Sequence, residues 1–248
     1  MSVKRALRSA LRHVGLDVRR FHPASSESAR LVTMLSVHQV NLVLDVGANT
    51  GQFGNMLRSA GYRGGIVSFE PSTGARSRLL RASKSDPDWN VADQMAIGDQ
   101  EGEVQLHIAG NSVSSSVLPM LDSHVAAAPK SVYVGSETVV VRTLDAASVQ
   151  YVRSDAVPFL KIDTQGYEDK VLRGAPNLLR RTIGLQIELS FIPLYEGQRH
   201  FDEVIAELKG LGFELWDIAP AFIHPKSGRL LQVDATFFRT SRKTISPS

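Results

Sequence analysis

Residues 43–51 read VLDVGANTG, and the fold is decided there. The run from Asn41 to Val46 is apolar and β-branched, as a strand buried on both faces requires. It carries an acid near its end, Asp45, and passes into Gly47, Ala48, Asn49 and Gly51. Small residues let a ligand approach the backbone, and glycine reaches φ values that other residues avoid. The chain continues as QFGNMLRSAG, which predicts a helix from about Gln52 to Ser59. In open α/β sheets, ligands bind beyond the carboxyl ends of strands followed by such turns.

The same alternation extends downstream. Ile66 to Phe69 reads as a second buried strand ending at Glu70-Pro71, Gly74 to Ser83 as a helix, and Trp89 to Gln94 as a third strand. This βαβαβ spacing predicts a doubly wound α/β domain with a parallel sheet. Glu103 to Ile108 and Thr138 to Arg142 read as strands. Between them, Ala109 to Ser136 is too long for a plain connection, so a short helix or a functional loop is expected. The pattern resumes with a strand at Val157 to Ile162, a helix from Glu168, a strand at Ile183 to Leu189 and a helix at Phe201 to Lys209. Phe213 to Ile218 and Val233 to Phe238 form a closing pair. A turn at Lys226-Ser227-Gly228 makes them a hairpin, which would place one antiparallel strand in the sheet.

Upstream, residues 1 to about 20 read as a basic helix with Val3, Leu7, Ala10, Leu11 and Val14 on one side. HPASSES (22–28) reads as a linker and Ser28 to Val37 as a second helix. The expected organisation is a helical extension over 1–40, one domain over 41–240 and a frayed tail over 241–248. The N-terminal helices are expected to cover a core face or to form a homodimer contact.

Composition narrows the classes. The 248 residues include no cysteine, which excludes disulfides, a thiolate nucleophile and cysteine-ligated metal. The formal charge of +3 is modest and gives no footprint for nucleic acid. Basic residues crowd the first thirty positions, where they suit a solvated helix packed across the domain. An anionic membrane surface is the other reading. No stretch is apolar enough to span a bilayer, and the N-terminus is a poor signal peptide, so a cytoplasmic protein is expected.

The turn after the first strand is neither the dinucleotide fingerprint nor a phosphate loop, since GxGxxG and Gly-Lys-Ser/Thr are both missing. Asp45 there suits a cationic ligand group, such as the amino group and sulfonium of S-adenosylmethionine, better than a pyrophosphate. Glu70 ends the next strand, 23 residues beyond Gly47, where an acid can accept hydrogen bonds from both ribose hydroxyls.

At this level the chain resembles a known family. VLDVGANTGQF, GGIVSFEPS, MAIGDQEGEVQLH, VRTLDA and FLKIDTQGYEDKVLRGA look like the successive blocks of the FkbM-type methyltransferases. QIELS and LLQVDATFFR resemble its closing blocks, and the likeness covers residues 41 to 239. It implies a class I methyltransferase fold, a Rossmann-like seven-stranded sheet with one antiparallel strand, and S-adenosylmethionine as cofactor. By position, Asp45, Gly47, Asn49 and Gly51, with Ala48, would surround the methionine portion, and Glu70-Pro71 the ribose. Ala96, Ile97, Gly98 and Asp99 would border the adenine, and Asp163 would sit near the reaction centre.

Methyl transfer to a hydroxyl needs a base, or a metal that lowers the hydroxyl pKa. Asp163 and Glu188 end adjacent expected strands. With Asp234 as a weaker third ligand they suggest a Mg²⁺ site of oxygen ligands. The competing reading has Asp163 capping a helix and Glu188 ordering the pocket. His124 and His224, in the loops expected to cover the pocket, are the alternative bases; His107, inside a strand, is expected to be structural. Ser114, Ser115 and Ser116, with Tyr167 and Tyr195, are candidate contacts for a polar acceptor. The resemblance implies an O-methyltransferase acting on a sugar, an oligosaccharide or a glycolipid. The arginine-rich composition adds an actinobacterial methylated mannose saccharide as a specific candidate. The alternatives are an RNA methyltransferase using the basic N-terminus and a non-catalytic cofactor-binding module.

Overall fold

The computed structural model describes residues 11, 13–16 and 20–240. Most of the expected basic helix over residues 1–20, and the tail over 241–248, lie outside the described residues. The first described helix, α1 (Glu27–Val37), is capped by the Ser26 hydroxyl, which accepts from the Ala29 N–H. It buries Leu31, Met34 and Leu35.

The main sheet holds seven strands: β1 (Leu42–Val46), β2 (Gly65–Phe69), β3 (Trp89–Val91), β7 (Pro158–Ile162), β8 (Gly184–Ser190), β9 (Phe213–Ile223) and β10 (Leu230–Arg239). Their order is β3-β2-β1-β7-β8-β10-β9. β1 pairs in parallel with β2 and β7, whereas β10 is antiparallel to both β8 and β9. This is the doubly wound sheet with one antiparallel strand that the class I methyltransferase pattern requires. Every residue of β1, β7 and β8 is buried, as a central parallel strand demands. One face carries Leu44, Val46, Leu160, Ile162, Ile187 and Phe237. The other packs Val43, Phe159 and Phe238 against α1, α2 (Gln52–Ala60) and α3 (Thr73–Ser83).

The third expected strand is shorter than its sequence suggests. The chain leaves the main sheet after Val91, and Ala96–Gly98 forms β4 at the edge of a separate three-stranded sheet. That small sheet joins β5 (Gly102–Ala109) to β6 (Tyr133–Thr143). β6 extends well beyond the expected Thr138 to Arg142. Half of its residues point into solvent, so its sequence lacks the continuous apolar run of a central strand. The long loop between them contains α4 (Asp122–Ala127) and a 3₁₀ turn. After β6 come α5 (Leu144–Ser148), then α6 (Glu168–Arg173) and a second short helix, α7 (Pro176–Arg181), with proline in its first turn. α8 (Phe201–Gly210) precedes the β9–β10 hairpin. Among the described residues no helix is long and apolar enough to cross a membrane.

Register sets the site. Asp45 lies opposite Ser68 on one side and Lys161 on the other. Lys161 faces Gln186, Gln186 faces Thr236, and Thr236 faces Asp217. Neighbours in register project to the same face. A polar row therefore crosses the sheet just below its carboxyl rim. Glu188 and Asp234, also in register, form part of the rim itself.

Candidate active site

A cavity of about 400 Å³ opens at the carboxyl ends of β1, β2 and β7. The glycine turn builds its floor. Gly47 adopts φ +81°, and a Cβ there would collide with the Asp163 carbonyl oxygen. Only glycine lets the β1 and β7 ends approach so closely. Asn49 follows at φ 47°, and its N–H donates to Glu70 Oε2 at 2.7 Å. Glu70 Oε1 accepts from the Ser72 N–H at 2.8 Å, so the carboxylate is fixed at the end of β2 and lines the cavity. Met95, Ala96, Ile97 and Leu106, from the small sheet and its approach, form an apolar side. The loop after β5 adds Ser112, Ser115 and Ser116. The Ser116 hydroxyl donates to the Gln165 carbonyl at 2.7 Å, and Ser112 Oγ lies 3.5 Å from Asn49 Oδ1. Asn49, Ser112 and Gln165 are all non-glycine residues with positive φ, and all three line this cavity. Left-handed backbone costs free energy outside glycine and clusters where a binding surface requires it.

Charge at the rim is mostly negative. The Lys161 side chain is 7% exposed, and its Nζ bonds Asp163 Oδ2 at 2.8 Å and lies 5.5 Å from the Phe53 ring centre. Desolvation works against this ammonium, but Asp163, Asp45 and Asp234 more than offset it and hold it charged. Burial pushes Asp45 up to about 6, Glu70 and Glu168 up to about 7, and Asp234 up to about 6. Glu188 is raised as well, by burial and then by Asp163 and Asp234. Of these acids Glu70, Asp163 and Asp234 line the cavity beside the single ammonium of Lys161, so the lining carries more carboxyls than cations. The Asp45 Oδ1 atom, buried beneath the turn, has no hydrogen-bond partner.

The structure brings together Gly47, Ala48, Asn49, Glu70, Pro71, Ala96, Ile97, Asp163, Asp234, Ser115, Ser116 and Tyr167 as cavity lining. Others support from behind. Gly51 starts α2 in a left-handed conformation against Leu79 and Trp89. Gly98 leaves room for Val141 and Tyr167, and Asp99 pairs with Lys170 at 3.0 Å. Ser114 is buried and receives a hydrogen bond from Asn111. Tyr195 is fully buried, and its hydroxyl donates to Gln165 Oε1 at 2.8 Å rather than facing the cavity.

Three expectations need correction. His124 does not reach the cavity. It is 2% exposed in α4, edge-on to Tyr195 with ring centres 5.1 Å apart, and burial pushes it down to about 4. His224 sits in the β9–β10 turn, where its Nδ1 accepts from the backbone N–H groups of Lys226 and Ser227. The acids Asp163, Glu188 and Asp234 do not assemble a Mg²⁺ site. Asp163 is held by Lys161 and, through Oδ1, by Gln165 Nε2 at 2.8 Å. Glu188 Oε2 accepts from Gln165 and Gln232, each at 2.7 Å. Among the described residues no three His, Cys, Asp or Glu side chains are placed to hold a metal. His107 lies within β5 and stacks on Tyr133.

Lys161, Gln165, Phe53, Met56 and Met95 were not singled out from the sequence. A signal existed for Lys161: a lysine inside the apolar strand VPFLKI must be buried, and a buried charge needs a partner.

The Methyltransferase FkbM domain matches residues 45–215 of this chain. No curated protein matches it in sequence. Among solved structures, magnesium protoporphyrin IX methyltransferase (ChlM) from Synechocystis PCC 6803 with bound SAM is 11% identical. The alignment covers 97% of this chain and 98% of that one at a TM-score of 0.47. A TehB-like SAM-dependent methyltransferase from Corynebacterium glutamicum is 12% identical over 96% and 97% of the two chains, with a TM-score of 0.43. TehB from Haemophilus influenzae is 10% identical over 85% of this chain, with a TM-score of 0.47, and this chain spans 62% of its length.

Proposed function

The chain belongs to the FkbM methyltransferase family, and from that premise we propose that it methylates a hydroxyl of a sugar, oligosaccharide or glycolipid with S-adenosylmethionine as donor. The observation that carries this reading is the acidic cavity at the carboxyl rim, with Glu70 fixed at the end of β2 and Gly47 packed against Asp163. Its residues fit the donor. Glu70 would accept from the ribose hydroxyls, while Met95, Ala96 and Ile97 would offer an apolar wall to the adenine. Gly47, Ala48 and Asn49 give backbone access to the methionine portion. The rim carboxylates, with the unpartnered Asp45 oxygen below, balance its positive charge.

Bound there, S-adenosylmethionine supplies an electrophilic methyl group on a sulfonium. The chain must exclude water, hold the acceptor oxygen in line and take its proton. Lys161 and Gln165 hold Asp163 in one orientation from two sides. The serine loop is tied to the cavity lining by Ser112 at Asn49 and by Ser116 at Gln165.

The test is titration calorimetry with S-adenosylmethionine, followed by transfer of labelled methyl to neutral saccharides and to RNA. Saturable binding and label on a saccharide oxygen are the expected results. Absence of binding would leave a methyltransferase fold without its activity. Label on RNA would replace the sugar reading.

A further inference from the structure

A second cavity, of about 480 Å³, lies against the first, between α1 and the β8–β10–β9 side of the sheet. The two share Phe53, Met56 and Asp234 as a common wall. Its other lining is mostly polar, with Ser25 and Ser28 near the start of α1, Glu27, Gln186 from β8 and Asp217 from β9, beside the apolar Ala24, Leu31 and Ala219. Its size lies within the ordinary range for small-ligand sites, about 300–1,000 Å³. Arg30 is its cation, and Asp217 already claims it at 2.6 Å, so Glu27 has no cation among the lining charges and Asp234 has only Lys161, from the first cavity, which Asp163 and Asp45 share. An anionic ligand would meet these carboxylates. A neutral polyol would donate hydroxyl hydrogens to them and to the Gln186 amide oxygen.

We propose that this second cavity is the acceptor site, that it takes a neutral polyhydroxylated unit such as a hexose, and that Asp234 orients the reacting hydroxyl and accepts its proton. The inference rests on the methyltransferase reading above and adds the acceptor's location and class. Among the described residues, Asp234 is the only acid that lines both cavities. Its carboxylate accepts no hydrogen bond among the described residues, whereas those of Asp163 and Glu188 are already engaged. Burial, then Asp163, raises it to about 6, close to the range in which a general base works at neutral pH. In the transfer, the acceptor oxygen bonds the methyl carbon as the carbon–sulfur bond breaks with its electron pair left on sulfur. The hydroxyl proton passes to Asp234. The products are a methyl ether, a neutral thioether and a carboxyl that returns its proton to solvent.

The test uses the full chain with and without S-adenosylhomocysteine. Saturation-transfer NMR reads binding of neutral methyl hexosides and of hexose 6-phosphates, and calorimetry reads the nucleoside. Ser28→Phe should fill the second cavity from α1, and Ala24→Trp, at an exposed lining position, is the second variant should the first fail to fold. The expected result is hexoside binding to the wild type, none of the phosphates, and at least a tenfold loss in the blocked variant, with nucleoside affinity within threefold. Asp234→Asn should keep hexoside and nucleoside binding but lose about 100-fold or more in kcat. Unchanged hexoside binding in a folded blocked variant would overturn the assignment of the cavity, and preferred phosphate binding would overturn the acceptor class. Full kcat in Asp234→Asn would remove its role. Loss of nucleoside binding by the wild type would instead overturn the methyltransferase reading itself.

Discussion

Lys161 and Asp163 stand two residues apart at the end of β7, and the ammonium holds the carboxylate at 2.8 Å while Asp45 and Asp234 bear on it from either side. The lysine occupies the position for which the rim acids would otherwise need an external cation. Asp163 is partly exposed but Asp45 is fully buried, and removing the cation that compensates a buried charge costs about 3–5 kcal/mol. Lys161→Met should therefore lower stability by that order. Without the ammonium, carboxyls already raised by burial rise further above their unfolded values. Such groups disfavour the fold only once they ionise, so the deficit should be largest near pH 8 and shrink as the pH falls towards 5. Denaturant melts of both proteins at the two values check this. An equal deficit at both would show that the lysine acts by packing alone.

Ligand binding should carry the opposite pH sign. Burial raises Asp45 to about 6, Glu70 to about 7 and Asp234 to about 6. Their neutral forms are favoured in the free protein at slightly acidic pH, and a cationic ligand favours the ionised forms. Binding of S-adenosylmethionine should release protons, and affinity should rise from pH 5.5 to pH 8 before levelling off. Calorimetry in buffers of different ionisation enthalpy measures the released protons directly. S-adenosylhomocysteine, which lacks the sulfonium charge, should show the smaller dependence.

Two glycines separate backbone strain from site geometry. Gly61 has φ +104° at the end of α2 with open space where a Cβ would point, whereas Gly47 has φ +81° and faces the Asp163 carbonyl. Gly61→Ala should cost about 1–2 kcal/mol from left-handed strain and leave ligand binding intact. Gly47→Ala adds a collision that forces β1 and β7 apart, and should abolish S-adenosylmethionine binding even where the protein folds. Thermal melts paired with calorimetry distinguish the two. Retained affinity in Gly47→Ala would mean that the turn is structural only.

Much of this was legible in the chain because the central strands are buried on both faces. VLDVGANTG and GIVSFEP announce two strand ends and the residues beyond them, and the family blocks supply the sheet order. The small sheet was less legible: β6 alternates towards solvent, and its pairing with β4 and β5 is long-range. The rim acids could be listed from sequence, but their partners could not. Gln165 reaches Asp163 and Glu188 only because its backbone turns left-handed after β7, and nothing in DTQGYE fixes where that amide points. The histidines misled for a related reason. Position in a long loop does not reveal that His124 lies in a helix packed behind Tyr195.

That packing gives a last prediction. The Tyr195 hydroxyl donates to Gln165 Oε1, which leaves the Gln165 amide N–H groups to hold both Asp163 and Glu188. Tyr195→Phe removes the only side-chain donor to that oxygen among the described residues. The buried Gln165 amide then loses a partner, at a cost of about 1–3 kcal/mol, and is free to rotate away from the acids. Tyr195 touches neither cavity, so ligand affinity should hold within about threefold while kcat falls several-fold as Asp163 and Glu188 lose an orienting bond. His124→Leu, a few ångströms behind the same ring, should cost stability by altered packing but leave the pH profile of kcat in place, because His124 is already neutral and remote from the cavity. If His124→Leu lowered kcat and Tyr195→Phe did not, the Tyr195–Gln165 contact would have no part in holding Asp163.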